Sequence, residues 1–418
     1  MRVCRRWKDI AVSVCELWSF LNIRCYQVSA DRIMVRRGVL RGFTTWFSRA
    51  QARPLSMTLC LPRETRGNVK TEELDISAVL PRLWRLELRY RGCGPPISSG
   101  TYLPLLKCLT ISLGDSELEA VLKHAPLLTE LSWSRLSAGD LDFRWFTSSM
   151  LTKLELGRGD QKVSATQFIS ILENFPSLTD LSFCVDLQAF NTRPPLTFPN
   201  LQSLTLNYHF LQLRELNHGV PPIPPIRLLD LVTLPHLVRL HCTSPLRQDV
   251  LSAFISRSAC AVRELECQFY DYDTVHRPFQ SDVLESDIWG SLSLCPSVET
   301  LDITLESDIT FFLEGIDTEK KKYSRAAPLL LPALQHLTIT YSGTTACKTR
   351  INYSDIIDIV RRRREDTETP ALKSLHIMID ESTEWDLYPG DTLAAEFHRL
   401  ISGGLDFTIG SDKKVVWP

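Results

Sequence analysis

His236, His241 and Cys242 have the residue types that bind metal ions, because imidazole and thiolate groups are zinc ligands. His241 and Cys242 are adjacent in the chain, and adjacent side chains of a strand point to opposite faces. This pattern favours a solvent-facing histidine beside a core cysteine over a pair of ligands. The run Asp271-Tyr272-Asp273 lacks the glycine and the distal glutamate of an EF-hand loop. We therefore predict no metal site.

Motifs of nucleotide-dependent and hydrolytic chemistry are absent from the chain. It contains no G-x-x-x-x-G-K-[ST] loop, no G-x-G-x-x-G fingerprint, no H-E-x-x-H and no G-x-S-x-G. We recognise no set of nucleophile, base and orienting group. We therefore predict that the protein is not an enzyme and that it uses no cofactor.

Two biased segments are open to more than one interpretation. The run Arg361–Arg364 follows a helical pattern that includes Ile356 and Val360. Cations at a helix C-terminus complement the helix dipole, and nuclear import or an acidic contact is the alternative. Residues 220–225 read Val-Pro-Pro-Ile-Pro-Pro, which predicts either a stiff surface loop or a ligand for a proline-recognition module.

The composition excludes several classes of protein. The chain has 418 residues, of which 44% are hydrophobic, and a formal charge of −2, so it is expected to fold and not to bind nucleic acid through a global positive charge. No apolar stretch approaches the roughly 18 residues of a spanning helix, and the N-terminus does not read as a signal peptide. The 12 cysteines include no C-x-x-C pair. We therefore expect a protein of the cytoplasm or nucleus with reduced thiols. We expect no membrane partner.

A repeated frame, Pro-x-Leu-x-x-Leu-x-Leu with apolar substitutions, runs through the chain after residue 80. Successive copies are 22 to 38 residues apart, and the shorter spacings lie within the period of leucine-rich repeats. Two copies without the proline begin at Leu151 and Val262. Nine complete copies begin at Pro81, Pro104, Pro126, Pro176, Pro199, Pro235, Pro296, Pro332 and Pro370.

This frame predicts a strand, because the Leu-x-Leu alternation places both leucines on one face. Helical patterns lie between the frames, for example around Leu118 and Val121 or around Phe168 and Leu172. One strand and one helix do not bury their apolar faces alone, so stacked units must share a core. We predict an α/β leucine-rich-repeat solenoid with parallel strands on its concave face and helices on its convex face. A doubly wound α/β domain is the alternative, but its strands would be continuously apolar.

Side chains that alternate with the leucines must point away from the core, and they form a polar strip of mixed charge. Such a strip is either a surface that binds a protein substrate or an ordinary solvated sheet face. The candidate substrate-binding residues are Arg85, Glu87, Arg89, Glu130, Lys153, Asp180, Asn207, Arg239, His241, Glu264, His336 and His376.

The N-terminal segment differs from the rest of the chain. Residues 1–66 contain 13 Lys and Arg against 4 Asp and Glu, a basic balance that suits an acidic partner. Val3, Trp7 and Ile10 form a helical apolar stripe, and Leu17 and Trp18 continue it beyond a break. So short a segment must pack this area on the first repeat, as an N-terminal cap, or on a partner.

A family resemblance rests on three runs of this segment. Val3-Cys4-Arg5-Arg6-Trp7-Lys8-Asp9-Ile10-Ala11 and Glu16-Leu17-Trp18-Ser19-Phe20-Leu21-Asn22-Ile23 closely resemble the C-terminal part of an F-box motif. They are most similar to F-box proteins of mushroom-type fungi. The stretch from Trp46 to Leu59 is similar to the helix that leads into the first repeat strand of that family.

This resemblance implies a substrate receptor of a Skp–cullin–F-box ubiquitin ligase. The F-box would bind the Skp-type adaptor through Val3, Trp7, Ile10, Leu17 and Trp18, and the repeats would bind a protein substrate. It divides the chain into a partial F-box with a linking helix, residues 1–53, and a solenoid, residues 54–418. The Leu-Pro-x-Glu start of an F-box is not in the sequence. The alternative expectation is a stand-alone leucine-rich-repeat scaffold that has lost adaptor docking.

Overall fold

The computed structural model divides into two compact units, Met1–Asp186 and Leu187–Pro418. It describes residues 7, 10, 12–24, 26–29, 32–34, 45–60, 79–89, 101–112, 115–134, 149–157, 163–185, 194–207, 227–245, 248–269, 290, 292–305, 312, 331–341, 353–365, 370–379, 391–411 and 414–417. No helix in these stretches is both long and apolar enough to cross a bilayer.

The first unit is built on a parallel sheet with the strand order β1-β4-β5-β6-β7-β8-β9. Its strands are β1 (Phe20–Arg24), β2 (Tyr26–Ser29), β3 (Arg32–Met34), β4 (Leu55–Cys60), β5 (Leu83–Arg89), β6 (Cys108–Ile111), β7 (Glu130–Trp133), β8 (Lys153–Leu156) and β9 (Asp180–Cys184). Strands β2 and β3 form a separate antiparallel pair. The helices are α1 (Asp115–Leu122) and α2 (Ala165–Asn174), with 3₁₀ turns at Cys15–Trp18 and Leu80–Arg82.

The second unit is built on a parallel sheet with the order β11-β13-β14-β15-β16-β17-β18, to which β19 adds an antiparallel edge. Its strands are β10 (Leu196–Thr197), β11 (Ser203–Asn207), β12 (Val232–Thr233), β13 (Arg239–Pro245), β14 (Glu264–Phe269), β15 (Thr300–Leu305), β16 (His336–Tyr341), β17 (Ser374–Ile379), β18 (Asp406–Ser411) and β19 (Lys414–Trp417). Strand β10 pairs only with β12 among the described strands. The helices are α3 (Gln248–Ser258), α4 (Tyr353–Glu365) and α5 (Asp391–Ser402), with a 3₁₀ turn at Arg227–Leu231.

Leucines of the repeated frame align from strand to strand and are buried, which confirms the predicted alternation. In the first unit the aligned column is Leu86, Leu109, Leu131, Leu154 and Leu181. In the second it is Leu204, Leu240, Leu265, Leu301, Leu337, Leu375 and Phe407. Each of these side chains is at most 3% exposed. Burial of one such side chain contributes about 1.5–3 kcal/mol, so the columns are a principal source of stability.

A backbone joint recurs where the chain enters strands β7 to β9 and β13 to β17. The carbonyl oxygen of Lys107 accepts hydrogen bonds from the amides of both Thr129 and Glu130, at 2.9 Å each. The carbonyl of Thr129 accepts from Thr152 and Lys153 in the same way. In the second unit the carbonyls of Gln202, Val238, Arg263, Glu299 and Gln335 repeat this double acceptance. These bonds fix each coil to the next, because buried backbone groups must be paired.

Helices cover the apolar side of the sheets. Helix α2 begins at a capping box in which Ser164 and Gln167 exchange hydrogen bonds. Its Phe168 ring packs on Phe183 of β9, with 5.2 Å between ring centroids. In the second unit Phe397 of α5 stacks on Phe407 of β18 at 4.5 Å. The architecture is therefore α/β with parallel sheets, as predicted.

Two elements differ from the sequence prediction. The N-terminal remnant was expected to be helical, but residues 20–24 form β1, which pairs in parallel with β4. The prediction is wrong there because Leu21 and Ile23, spaced as in a strand, extend the sheet by one strand. Strand β18 continues the second sheet although its coil lacks the frame proline. The predicted division at residues 1–53 and 54–418 stays a prediction, and the compact units separate after residue 186.

Candidate protein-interaction surfaces

The polar face of the first unit is the side of its sheet opposite the buried leucines. Strand register aligns Arg85, Cys108, Glu130, Lys153 and Asp180 in one row. A second row, two residues further along each strand, is Thr58, Glu87, Thr110, Ser132, Glu155 and Ser182. These rows line a hollow of about 260 Å³, in which Arg85, Glu87, Arg89, Glu130 and Lys153 come together. Five of the predicted substrate-binding residues thus share one site.

Glu87 is an acid of this hollow that two side chains hold in place. Its carboxylate accepts hydrogen bonds from Thr58 Oγ1 at 3.1 Å and from Arg89 Nε at 2.5 Å. Burial alone would raise the pKa of Glu87, but the hydrogen bonds from Arg89 and Thr58 and the charges of Arg89 and Arg85 outweigh it, so the pKa is lowered. Glu87 is therefore a fixed anion at neutral pH.

Cys108 and Glu130 interact across β6 and β7. Burial raises the pKa of the Cys108 thiol, and the charge of Glu130 and a hydrogen bond to it raise that pKa further. The thiol is thus a neutral donor to the carboxylate and a poor nucleophile. At this pair the floor of the hollow therefore presents a hydrogen-bonded thiol and carboxylate, and the thiol is not an activated thiolate.

The polar face of the second unit carries histidines beside acids. Nδ1 of His241 lies 3.2 Å from Oε2 of Glu266, and Glu266 is in register with Asp302. Burial and then the charge of Glu266 raise the pKa of Asp302, opposed by His241. Arg239 pairs in register with Glu264, in the neighbouring row.

The remaining histidines of this face bond to hydroxyl groups. His336 Nδ1 lies 2.9 Å from Ser374 Oγ, and His376 Nδ1 lies 2.5 Å from Thr408 Oγ1. His376 Nε2 is also 3.7 Å from a carboxylate oxygen of Asp406. These pairs hold the imidazoles in fixed orientations, so the face presents an ordered array of donors and acceptors.

The predicted strip therefore falls into one group in each unit. Arg85, Glu87, Arg89, Glu130, Lys153 and Asp180 belong to the first, and Asn207, Arg239, His241, Glu264, His336 and His376 to the second. Asp406 and Thr408 of β18 were missed. The signal that could have found them is the alternation Leu405, Phe407, Ile409, which follows Gly403-Gly404.

His241 and Cys242 lie on opposite faces of β13, as the alternation predicts. Cys242 is fully buried, whereas the His241 side chain is 33% exposed. His236 lies in the turn before this strand. Within the described residues, no three His, Cys, Asp or Glu side chains have an arrangement that could hold a metal ion. Residues 271–273 and 220–225 lie outside the described residues.

The N-terminal patch is a set of exposed apolar side chains between residues 7 and 20. Its members are Trp7, Ile10, Val12, Leu17 and Phe20, between 42% and 65% exposed. Trp18 is only half-exposed, because its ring packs on Trp46 at 4.6 Å and under the Arg49 guanidinium at 4.5 Å. The structure thus separates Trp18 from Trp7, Ile10 and Leu17. Val3 lies outside the described residues.

The arginine run at the end of α4 is integrated into the second unit. Arg361 bonds to the Glu396 carboxylate at 3.2 Å, and buried Arg363 donates to the Leu331 carbonyl at 3.1 Å. Arg364 donates to the carbonyls of Leu400 and Gly403 at the end of α5. Three of these side chains therefore have structural roles, and they act on neighbouring elements more than on their own helix dipole.

Comparisons with known proteins add little to this geometry. No protein-family model matches the sequence, and no curated protein matches it either. Among solved structures, the chain is similar to the crystal structure of a Bacteroides fragilis protein, with 15% identity and a TM-score of 0.30. The similarity covers 74% of this chain and 66% of that one.

Proposed function

We propose that the protein is a non-catalytic substrate receptor of the F-box type, which works in the cytoplasm or nucleus. The N-terminal patch would bind a Skp-type adaptor of a cullin ubiquitin ligase, and the polar faces would bind a protein substrate. The two units would be parts of a leucine-rich-repeat solenoid with strands on its concave face and helices on its convex face. The motif resemblance supports the ligase assignment.

The observation that carries the proposal is the exposure of the N-terminal patch. A tryptophan, a phenylalanine and three aliphatic side chains within 14 residues of chain face solvent. Clusters of exposed large apolar side chains mark protein interfaces. The basic composition of residues 1–66 adds a charge that attracts an acidic adaptor.

Titration of the purified full chain with a Skp-type adaptor tests this proposal. We expect Trp7→Ala and Leu17→Ala each to weaken binding by at least about tenfold, because central aromatic and aliphatic contacts dominate interfaces. Tyr102→Ala is the matched control, since it removes an equally exposed aromatic ring outside the patch. An adaptor that does not bind the parent chain would rule out the ligase role.

A stand-alone leucine-rich-repeat scaffold is the second candidate, and the packing of Trp18 favours it. The Trp18–Trp46 contact and the pairing of β1 with β4 pack the N-terminal segment onto the start of the sheet from within the chain. Repeat arrays need such caps. Under this candidate neither the parent chain nor the Trp7 and Leu17 variants bind the adaptor. Trp18→Ala, in contrast, lowers the thermal stability of the first unit.

A further inference from the structure

Three neighbouring coils of the first unit expose an apolar side chain at the same position. This position precedes the first frame leucine and holds Leu105, Leu127 and Met150, which are 43%, 40% and 49% exposed. Tyr102, in the turn of Leu105, is 59% exposed. We call these four side chains the apolar ridge. In later copies of the frame the same position is polar or small: Ser177, Asn200, His236, Ser297, Ala333 and Ala371.

The spacing of the apolar ridge matches an α-helix. Leu105, Leu127 and Met150 precede β6, β7 and β8, which are consecutive strands in register. Neighbouring strands lie about 4.8 Å apart, so the three side chains span about 10 Å. Helical residues at i, i+3 or i+4, and i+7 advance about 5 Å per step and about 10.5 Å in total. An extended peptide advances about 6.7 Å between side chains of one face and matches less well.

Three exposed cations lie beside the ridge. Arg85, Lys107 and Lys153 are exposed next to these turns, and none of them takes part in an ion pair with another described residue. The row that holds Arg85 and Lys153 also holds two acids, Glu130 and Asp180. Glu130 already accepts the hydrogen bond of Cys108, and Asp180 that of Thr179. A partner that places carboxylates over these cations would gain ion pairs, and a basic partner would be repelled.

We propose that the apolar ridge docks an acidic amphipathic helix of a protein partner. Three apolar side chains of the helix would lie on Leu105, Leu127 and Met150, and its carboxylates would face Lys107 and Lys153. The inference rests on the proposed function as a protein receptor and assigns the chemistry of the partner. A contact of this size resembles transient interfaces, which bury less than about 1,200 Å².

Fluorescence anisotropy with the full chain and three synthetic peptides of about 15 residues tests the proposal. One peptide has leucines at i, i+4 and i+7 flanked by glutamates, the second has lysines in place of the glutamates, and the third is a scrambled form of the first. We expect the first to bind at least about tenfold more tightly than the other two. Leu127→Ser and Lys153→Glu should each weaken its binding by about tenfold, and Ser177→Ala, outside the ridge, should not.

Several results would overturn the proposal. They are no binding of the glutamate peptide up to about 1 mM, equally tight binding of the lysine peptide, or unchanged binding of the glutamate peptide by both Leu127→Ser and Lys153→Glu. Loss of self-association in Leu127→Ser, measured by sedimentation, would instead identify a second copy of the chain as the occupant. Adaptor binding that depends on Trp7 and Leu17 is measured separately. Failure of the ridge therefore leaves the ligase assignment standing, and failure of the adaptor leaves the ridge standing.

Discussion

Trp133→Ala should loosen three strands of the first unit and leave the second unit unchanged. Trp133 is fully buried on β7, where register places it between Ile111 of β6 and Leu156 of β8. In a stack of coils, each coil contacts mainly its neighbours, so a defect should stay close to its origin.

The size of this effect follows from the volume that is lost. Replacement of a buried tryptophan by alanine costs about 3–5 kcal/mol, since the transfer free energy is lost and a cavity remains. At about 1.4 kcal/mol per tenfold change in an equilibrium constant, amide protection should fall by about two to three and a half orders of magnitude. Trp133→Leu, which restores the frame residue, should recover part of this loss.

Hydrogen exchange followed by mass spectrometry measures the effect strand by strand. Peptides from β6, β7 and β8 should lose protection, and peptides from β15, β16 and β17 should not. Ser132→Ala is the matched control, because Ser132 is the neighbour on the polar face and such changes lie within about 0.5 kcal/mol. Equal loss of protection in both units would refute the argument, since it would mean one cooperative core instead of stacked coils.

Other parts of the structure lead to three further expectations. Arg364→Ala should destabilise the end of α5 by about 1.5–3 kcal/mol, because charged hydrogen bonds to the Leu400 and Gly403 carbonyls are lost. Faster amide hydrogen exchange of residues 391–411 would show this. Arg399→Ala, on the exposed side of α5, is the control. The raised pKa of Asp302 means that the folded state binds more protons than the unfolded state, so its contribution to stability falls as pH rises through the interval from the unfolded to the folded pKa. Asp302→Asn should therefore gain stability relative to the parent near pH 7 and lose that gain near pH 4 in urea titrations, and a gain independent of pH would contradict this. Burial raises the pKa of the Cys242 and Cys267 thiols, so both should resist iodoacetamide in the folded protein at pH 8 and react in urea, as peptide mapping would show.

The repeated leucines were sufficient to predict the parallel sheets. The frame marks both strand position and buried face, as the column from Leu86 to Leu181 shows. Strand β1 was not predicted, because Leu21 and Ile23 follow a helical stripe and give only two alternations. Strand β18 was missed because its coil has Ser402 at the position of the frame proline and Gly404 at that of the first frame leucine.

The candidate surfaces were less predictable than the fold. Alternation alone assigned Glu87 and Arg89 to the polar face, but the bond from Thr58 to Glu87 joins residues 29 apart and depends on how neighbouring coils align. The exposure of the apolar ridge was not predicted either. A leucine next to a frame leucine could equally be a core residue, and the sequence alone does not distinguish the two. The bond from Arg363 to the Leu331 carbonyl joins residues 32 apart, and no local pattern indicates it.

The backbone joint, in which one carbonyl accepts two amide hydrogen bonds from the next coil, explains how the chain accommodates coils of very different length. Equivalent residues of neighbouring coils are 22 apart at Ser112 and Ser134 but 38 apart at His336 and Ser374. The paired bonds of the joint join main-chain groups beside the strand, so extra residues elsewhere in a coil leave them intact. Each doubling of a flexible loop costs only about 0.6 kcal/mol. Such a scaffold allows new segments to be grafted between strands without redesign of the sheet. Individual coils can therefore diverge in length and chemistry while the strands keep their alignment.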